Sequence, residues 1–205
     1  FDDIRKELGV HPSELRSKSD TEVLLLAWER WGPEALPRLV GQWAFAIYDS
    51  EEKRLWLARD RFGEKPLYYH RDAEALTFAS SLAALIQAPW VPRELDRDIL
   101  AEYLTLRYVV SPRTILRDAQ KLAGGDLLEA GPDGIKVQSW YEPRFRTLAA
   151  LRKERKQADL VEEFHSLLGD ASERCLVSDV PVALLLSDGI DSNSIWASLA
   201  GRGHE

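Results

Sequence analysis

The sequence is poor in the residues that define several large classes of protein. It has one cysteine, Cys175, which excludes both an intramolecular disulfide framework and a multi-cysteine metal site within these residues. The four histidines stand at positions 11, 70, 165 and 204, and no pair of them has the spacing of metal ligands. We therefore expect a protein of a reducing, cytoplasmic compartment.

Positive charge and long apolar runs are scarce as well. The chain carries 27 Lys and Arg against 34 Asp and Glu, a formal net charge of −7, and no basic stretch is interleaved with aromatic residues. The longest apolar runs, such as residues 180–186, are far shorter than the roughly 20 residues that cross a bilayer. We expect neither a nucleic-acid partner nor a membrane partner.

Methionine is absent altogether, although a primary translation product begins with one. The sequence starts at Phe1 and stops at Glu205, just after a helical pattern, where a βα unit would go on to its next strand. We expect these 205 residues to be an internal piece of a longer polypeptide.

Short helical segments and short β-prone runs alternate in residues 1–147. Runs at 43–49 and 54–60 predict a hairpin, those at 67–70 and 75–80 predict a second strand pair, and two further strands are predicted near Leu128 and at 135–140. Helices are predicted at 1–8, 22–28, 34–39, 81–87 and 98–106. With antiparallel pairing as the default, this region is predicted to be an α+β domain.

The character of the chain changes at residues 148–159, where Arg, Lys, Glu and Ala dominate. Such a run predicts a linker or an exposed helix, and we place the domain boundary there. In residues 160–205, apolar residues recur at helical spacing up to Ala171 and are followed by the apolar run at 180–186. That run predicts a strand buried on both faces of a parallel sheet, with a helix at 193–199 behind it.

Mostly small and polar residues lie between this strand and this helix, in the order Ser187-Asp188-Gly189-Ile190-Asp191-Ser192. A loop at the start of a helix suits oxyanions, because free backbone N–H groups and the helix dipole face it. Gly189 would allow a phosphate oxygen to approach the backbone, and the hydroxyls of Ser187 and Ser192 could donate hydrogen bonds to it. Asp191 is suited to hold Mg²⁺ that bridges phosphate oxygens. The alternative is that these residues only cap the helix.

The loop resembles the Ser-Gly-Gly-x-Asp-Ser pyrophosphate-binding loop of the N-type ATP pyrophosphatases. The preceding Ser178-Asp179-Val180-Pro181-Val182 resembles the lead-in of asparagine synthetases. The resemblance implies that Ser187, Asp188, Gly189, Asp191 and Ser192 bind ATP and Mg²⁺, that Leu185 contacts the adenosine, and that a substrate carboxylate attacks the α-phosphorus. Asp188 departs from the family, because it adds a negative charge and a Cβ where the family has its first glycine. Asn193 replaces the usual small hydroxyl residue. Either Asp188 turns away, toward Mg²⁺, or the affinity for ATP is reduced.

Residues 1–147 resemble the class II glutaminase domain of the same family over nearly their whole length. The resemblance is carried by residues 19–25, 41–49, 58–69 and 78–80, by a connecting region at 103–128, and by Ser139-Trp140-Tyr141. It implies a partial, N-terminal-nucleophile-hydrolase-like layered sandwich in which Asp20 receives the α-amino group of glutamine. Without the resemblance, Asp20 would be read as a helix cap, and residues 59–61 as a solvated charge run.

In that family the nucleophile is an N-terminal cysteine whose own α-amino group acts as the base, and the resemblance puts it before Phe1. Cys175 cannot replace it, because Cys175 is internal and carries no free amine; we expect a buried, inert thiol. We assign no catalytic residue within the 205 residues and expect no turnover from them alone.

For the longer polypeptide, the resemblance implies a glutamine-hydrolysing asparagine synthetase that uses glutamine, aspartate, ATP and Mg²⁺, with a homodimer as a further expectation. Two alternatives stay open. One is a related amidotransferase that acts on another carboxylate, such as a cell-surface polysaccharide, β-lactam or peptide precursor. The other is a non-catalytic homologue with a degraded ATP loop.

Overall fold

A computed structural model describes residues 1–145, 147, 150 and 155–204 and divides the chain into two compact units, Phe1–Glu142 and Pro143–Glu205. Half of the predicted boundary run of residues 148–159 lies outside the described residues, and residues 157–159 begin a helix. A linker at this place therefore stays a prediction. None of the described helices is both long and apolar enough to cross a membrane.

The first unit begins with two helices, α1 (Asp2–Leu8) and α2 (Asp20–Trp31), followed by a 3-10 segment at Gly32–Arg38. Ile4, Val23, Ala27 and Ala35 form a small core between these elements. Helix α2 ends at Gly32, whose φ of 53° lies in the region that favours glycine. Glycine at this position explains why the sequence signal for the end of the helix is reliable.

Two antiparallel sheets follow. The four-stranded sheet has the order β1-β2-β6-β7, with β1 (Ala44–Asp49), β2 (Arg54–Arg59), β6 (Asp126–Gly131) and β7 (Gly134–Ser139). The three-stranded sheet has the order β4-β3-β5, with β3 (Tyr68–Arg71), β4 (Leu76–Ala79) and β5 (Ala119–Lys121). The predicted hairpin is confirmed, with Ala44 opposite Arg59 and Asp49 opposite Arg54. Strand β5 was not predicted, because its three residues are too few to show a β periodicity.

Strand alternation explains the layering of this unit. Leu57 and Leu128 belong to a core that includes Tyr69 of the second sheet, whereas their neighbours Ala58 and Leu127 belong to a core that includes Trp28 of α2. Successive side chains of a strand point to opposite faces, so the four-stranded sheet packs on α2 with one face and on the second sheet with the other. The layered sandwich expected from the sequence is confirmed in this arrangement.

Two more helices complete the first unit, α3 (Leu82–Leu85) and α4 (Arg97–Leu106). Helix α3 supplies Leu85 to a core with Val91, Leu116 and Ala119, and that core also contacts Tyr68. Helix α4 begins at an Asp96 cap, whose carboxylate accepts hydrogen bonds from the backbone N–H groups of Asp98 and Ile99.

The second unit contains the helices α5 (Gln157–Cys175) and α6 (Ile190–Ala200), which pack on each other. Arg202, just beyond α6, donates hydrogen bonds to the Glu173 carboxylate at 2.8 Å and to the backbone oxygen of Ser166 at 3.1 Å. It also forms an ion pair with Asp170 at 2.8 Å. Arg202 thus fastens the end of α6 to three consecutive turns of α5.

The predicted strand at residues 180–186 is wrong for this structure. The segment forms no strand, and all of its residues are exposed, with Leu185 at 92%. A parallel strand needs a neighbouring strand to satisfy its backbone N–H and C=O groups, and the described residues of the second unit contain no strand that could pair with this segment. The apolar composition was read correctly, but composition alone does not supply a pairing partner.

Candidate functional site

The loop in front of α6 is held by a compact set of hydrogen bonds. The hydroxyl oxygens of Ser187 and Ser192 lie 2.9 Å apart, within hydrogen-bonding distance of each other. The Ser187 oxygen also accepts from the backbone N–H of Gly189, and the Ser192 oxygen accepts from that of Ser187, both at 3.2 Å. The two serines predicted to bind phosphate are therefore brought together, with their hydroxyls at the exposed start of the helix.

Helix α6 begins three residues earlier than predicted, at Ile190. Its N-cap is Gly189, and no side chain caps the helix. The alternative in which the serines and Asp191 only cap α6 is therefore wrong. The first turn of an α-helix has N–H groups without intrahelical partners, so an uncapped first turn that contains Asp191 and Ser192 can receive an anion.

Gly189 adopts φ −73° and ψ 146°, an ordinary extended conformation that any residue can take. A Cβ built on it would meet only the Ser187 hydroxyl, at 3.2 Å. The backbone conformation therefore does not require glycine here, and the close approach of a phosphate remains a prediction about this residue.

The two carboxylates of the loop, Asp188 and Asp191, are exposed, as is Leu185 before them. Among the described residues, no group of three or more His, Cys, Asp or Glu could hold a metal ion. Mg²⁺ prefers octahedral oxygen ligands and commonly combines one or two carboxylates with substrate phosphates. The two carboxylates of this loop fit a Mg²⁺ ion that arrives together with a phosphate ligand. Without such an ion, the negative charge of Asp188 would repel the phosphate oxygens.

Asn193 stabilises this loop, a role that the sequence did not predict; there it was only a mild departure from the family. Its side-chain amide donates to the backbone oxygens of Ser187 and Gly189, both at 2.8 Å. The signal was present in the sequence, because an Asn in the first turn of a helix after a polar loop is placed to bond loop carbonyls. The sequence did not show that one amide reaches two of them.

In the first unit, the predicted glutamine ligand Asp20 is exposed at the first position of α2. The cap is its neighbour Ser19, whose hydroxyl accepts from the backbone N–H of Thr21 at 3.2 Å. The hydroxyls of Ser19 and Thr21 approach the Asp20 carboxylate only at 3.5 Å. The interpretation of Asp20 as the helix cap is therefore wrong, and its carboxylate remains accessible to a ligand.

The alternative for residues 59–61, a solvated charge run in the absence of the family resemblance, is wrong for Asp60. The side chain is buried, and its carboxylate accepts four backbone N–H groups at 3.0 to 3.3 Å, from Trp43, Phe62, Glu64 and Lys65. Burial alone would raise the pKa of Asp60, but these hydrogen bonds outweigh burial and hold the pKa below its ordinary value. A buried charge that accepts several backbone N–H groups organises the loop between β2 and β3.

Arg59 donates hydrogen bonds to backbone carbonyl groups, two of which belong to the same loop. It donates to the backbone oxygens of Lys65 and Leu122, both at 2.6 Å, and to that of Gly63. Burial lowers the pKa of Arg59, while the neighbouring Asp60 opposes that change. The two adjacent side chains therefore satisfy the two kinds of backbone group in one turn. The signal available in the sequence was Asp60 followed by Gly63 and Pro66, a pattern typical of a side-chain-stabilised turn.

Arg61 joins this loop to the segment that follows α2. Its guanidinium donates to the backbone oxygens of Leu39 and Pro37, both at 2.6 Å. The same group lies 5.5 Å from the ring centres of Trp140 and Tyr141, at the end of the first unit. Arg61 is therefore a structural link between three parts of the first unit rather than a solvated charge.

Cys175 is exposed at the end of α5, so the expectation of a buried thiol is wrong. Helical periodicity suggested burial, but Cys175 is the last residue of α5, and the periodicity does not determine whether the end of a helix is covered. Its internal position and lack of a free amine are unchanged by this finding.

Two protein families match the chain, in the order that the sequence resemblance predicted. The glutamine amidotransferase domain family matches residues 1–141, and the asparagine synthase family matches residues 163–205. The matches confirm the expected fold classes, an N-terminal-nucleophile-hydrolase-like domain followed by the start of an ATP-pyrophosphatase domain.

Three curated relatives illustrate the similarity. "Asparagine synthetase [glutamine-hydrolyzing] 3" of Bacillus subtilis is 34% identical over 98% of this chain and 32% of its own length. "Asparagine synthetase [glutamine-hydrolyzing] 1" of the same organism is 32% identical over 94% of this chain and 30% of its own length. "Amidase chyE" of Penicillium rubens is 30% identical over 89% of this chain and 26% of its own length. The chain thus spans about a third or less of the length of these relatives.

Proposed function

Because the chain belongs to the glutamine amidotransferase domain family, we propose that it is part of a glutamine-hydrolysing asparagine synthetase. The observation that carries the proposal is the order of the two matched families, a glutamine amidotransferase domain followed by the asparagine synthase family. The relatives named asparagine synthetase, which align with nearly all of this chain, support the same reading.

The proposed reaction has two parts. In the first, glutamine and water give glutamate and ammonia. In the second, a carboxylate oxygen of aspartate attacks the α-phosphorus of ATP and pyrophosphate leaves; ammonia then attacks the acyl carbon, and AMP leaves as asparagine forms. The first unit would bind glutamine and the second unit would bind ATP.

Within the first unit, Asp20 is proposed to receive the α-amino group of glutamine. Its carboxylate is exposed and does not serve as a helix cap, so it can pair with an ammonium group at little structural cost. The negative end of such a pair also lies at the N-terminus of α2, where the helix dipole stabilises a carboxylate.

Within the second unit, Ser187, Gly189 and Ser192 are proposed to bind the pyrophosphate of ATP. The uncapped N-terminus of α6 and the paired serine hydroxyls support this reading. Mg²⁺ carried by ATP would lie at Asp191, with Asp188 as a second carboxylate nearby in the sequence, and Leu185 would contact the adenosine. The ion would offset the repulsion between Asp188 and the phosphate oxygens.

An amidotransferase that acts on another carboxylate is a second candidate. Two observations favour it: Asp188 at the loop, and a relative whose name is an amidase rather than an asparagine synthetase. The cytoplasmic location and the homodimer remain predictions under either reading.

The proposal is tested by supplying glutamine, aspartate, ATP and Mg²⁺ to the protein in its natural full-length form and measuring asparagine and AMP. We expect both products in equal amounts. Glutamine-dependent AMP that forms only when a different carboxylic acid replaces aspartate would favour the second candidate. Isothermal titration that shows no binding of ATP·Mg²⁺ would leave only a scaffolding role and refute both.

A further inference from the structure

The polar contacts of the loop before α6 converge on one side chain outside the predicted phosphate-binding set. The Asn193 amide nitrogen lies 2.8 Å from the backbone oxygen of Ser187 and 2.8 Å from that of Gly189. The Asn193 backbone N–H also donates to the Gly189 oxygen, at 3.3 Å. Asn193 thus contacts the carbonyl groups of the two residues on either side of Asp188, which the Ser192 hydroxyl also approaches, at the longer distance of 3.3 Å.

These carbonyl groups matter because they are negatively polarised. A carbonyl oxygen that turned outward from the loop would repel the oxygens of a phosphate, while one that is bonded to the helix leaves the loop N–H groups to face the ligand. A side-chain amide has two N–H donors on one nitrogen and can bond both carbonyls together. A hydroxyl has a single donor, so the Ser192 hydroxyl, which lies 3.3 Å from each of the two carbonyl oxygens, can donate to only one of them at a time.

The orientation of these carbonyl groups matters more in a loop that contains Asp188. Its side chain adds a negative charge to a loop that, on the proposed function, receives a charged pyrophosphate. Because the carbonyl groups of Ser187 and Gly189 are bonded to Asn193, these two groups do not add to the negative charge of the loop carboxylates.

We propose that Asn193 is a positioning residue for ATP, which turns the carbonyl groups of Ser187 and Gly189 toward α6 and so lets a loop that contains Asp188 bind pyrophosphate. This inference rests on the proposed function of the same loop. Asn193 acts through the loop backbone and takes no part in bond formation.

The test compares four forms of the natural full-length protein: wild type, Asn193→Ala, Asn193→Ser and Asn193→Asp. For Asn193→Ala, which loses two hydrogen bonds of modest net strength, we expect the KM for ATP to rise by about tenfold or more. Asn193→Ser restores one donor, so its KM should lie between those of wild type and Asn193→Ala. Asn193→Asp places a carboxylate against two carbonyl oxygens and should be the most impaired.

Two readouts separate positioning from a merely structural role. The KM for glutamine should be unchanged in all four forms, and the melting temperature should stay within about 2 °C, because Asn193 is exposed and surface substitutions rarely cost much stability. Ser198→Ala, on the same helix beyond its first turn, is the matched control and should leave the KM for ATP unchanged.

The outcomes distinguish this inference from the function on which it rests. If isothermal titration shows that wild type does not bind ATP·Mg²⁺, the proposed function of the loop fails and the inference fails with it. If wild type binds ATP·Mg²⁺ and Asn193→Ala has the same KM for ATP, only the inference is refuted. A graded rise in that KM from wild type through Asn193→Ser to Asn193→Ala supports it.

Discussion

Replacing Asp60 should destabilise the first unit more than replacing any of its exposed carboxylates. The Asp60 carboxylate is buried and accepts four backbone N–H groups, and Asp60→Ala would leave all four without this acceptor. Each hydrogen bond to a charged group has a net value of roughly 1.5–3 kcal/mol, so the upper limit for four is about 6–12 kcal/mol. Because the donors from residues 62, 64 and 65 belong to exposed residues that water can reach, we expect a loss of about 2–4 kcal/mol.

Urea unfolding followed by tryptophan fluorescence measures this loss. Of the seven tryptophans only Trp196 lies outside Phe1–Glu142, so the signal reports mainly the first unit. The matched control is Asp49→Asn: Asp49 accepts two backbone N–H groups in the exposed turn between β1 and β2, and we expect its replacement to cost less than about 1 kcal/mol. Equal losses for Asp60→Ala and Asp49→Asn would refute the argument from burial.

The dependence on pH gives an independent check of the same reasoning. Since the pKa of Asp60 is lower in the folded protein than its ordinary value, the unfolded state binds the proton more readily. The stabilisation from the carboxylate is therefore fully present above about pH 4, the ordinary range of an aspartate, and is lost as the pH falls through the folded-state pKa. The difference in unfolding free energy between wild type and Asp60→Asn should be constant near neutral pH and shrink in acid. If this free-energy difference grew as the pH fell, the assignment of a lowered pKa to Asp60 would be contradicted.

Three further predictions follow from close approaches and from the exposed carboxylate of α2. Gly124→Ala would place a Cβ 2.6 Å from the backbone of residues 62 and 63, and chemical denaturation should show a loss of about 1–3 kcal/mol, because backbone cannot move aside as a flexible side chain can. Gly169→Ala would displace the guanidinium of Arg202 from its ion pairs with α5, and the loss should be only about 1 kcal/mol; a melting temperature lowered by more than 10 °C would show that the contact was misjudged. Asp20→Asn should raise the KM for glutamine by about tenfold without lowering the melting temperature, since the helix cap is its neighbour; an unchanged KM would remove Asp20 from the glutamine site.

Much of the first unit could be predicted because its signals are local. The polar turn after Asp49 and the glycine after Trp31 mark where a strand and a helix end, and the structure agrees at both places. Strand β5 escaped prediction because its three residues pair with β3, which lies far away in the sequence. A pairing over that distance has no local pattern.

The candidate site divides in the same way. The residue types at Ser187 and Ser192 indicated a loop that could bind phosphate, and the structure places their hydroxyls together. The roles of Asp60 and Asn193 could not be read from the sequence, because each depends on which backbone groups the folded loop turns toward the side chain. A charged residue next to two arginines looks solvated until its partners are known to be backbone N–H groups.

The most direct test of the proposed function follows the amide nitrogen of glutamine. The natural full-length protein is supplied with glutamine labelled with ¹⁵N at its amide, together with aspartate, ATP, Mg²⁺ and a small amount of unlabelled ammonium, and the products are analysed by mass spectrometry. We predict asparagine that carries ¹⁵N in its side-chain amide, formed in equal amount with AMP. Glutamine consumption and AMP formation without labelled asparagine would contradict the proposal that aspartate receives this nitrogen.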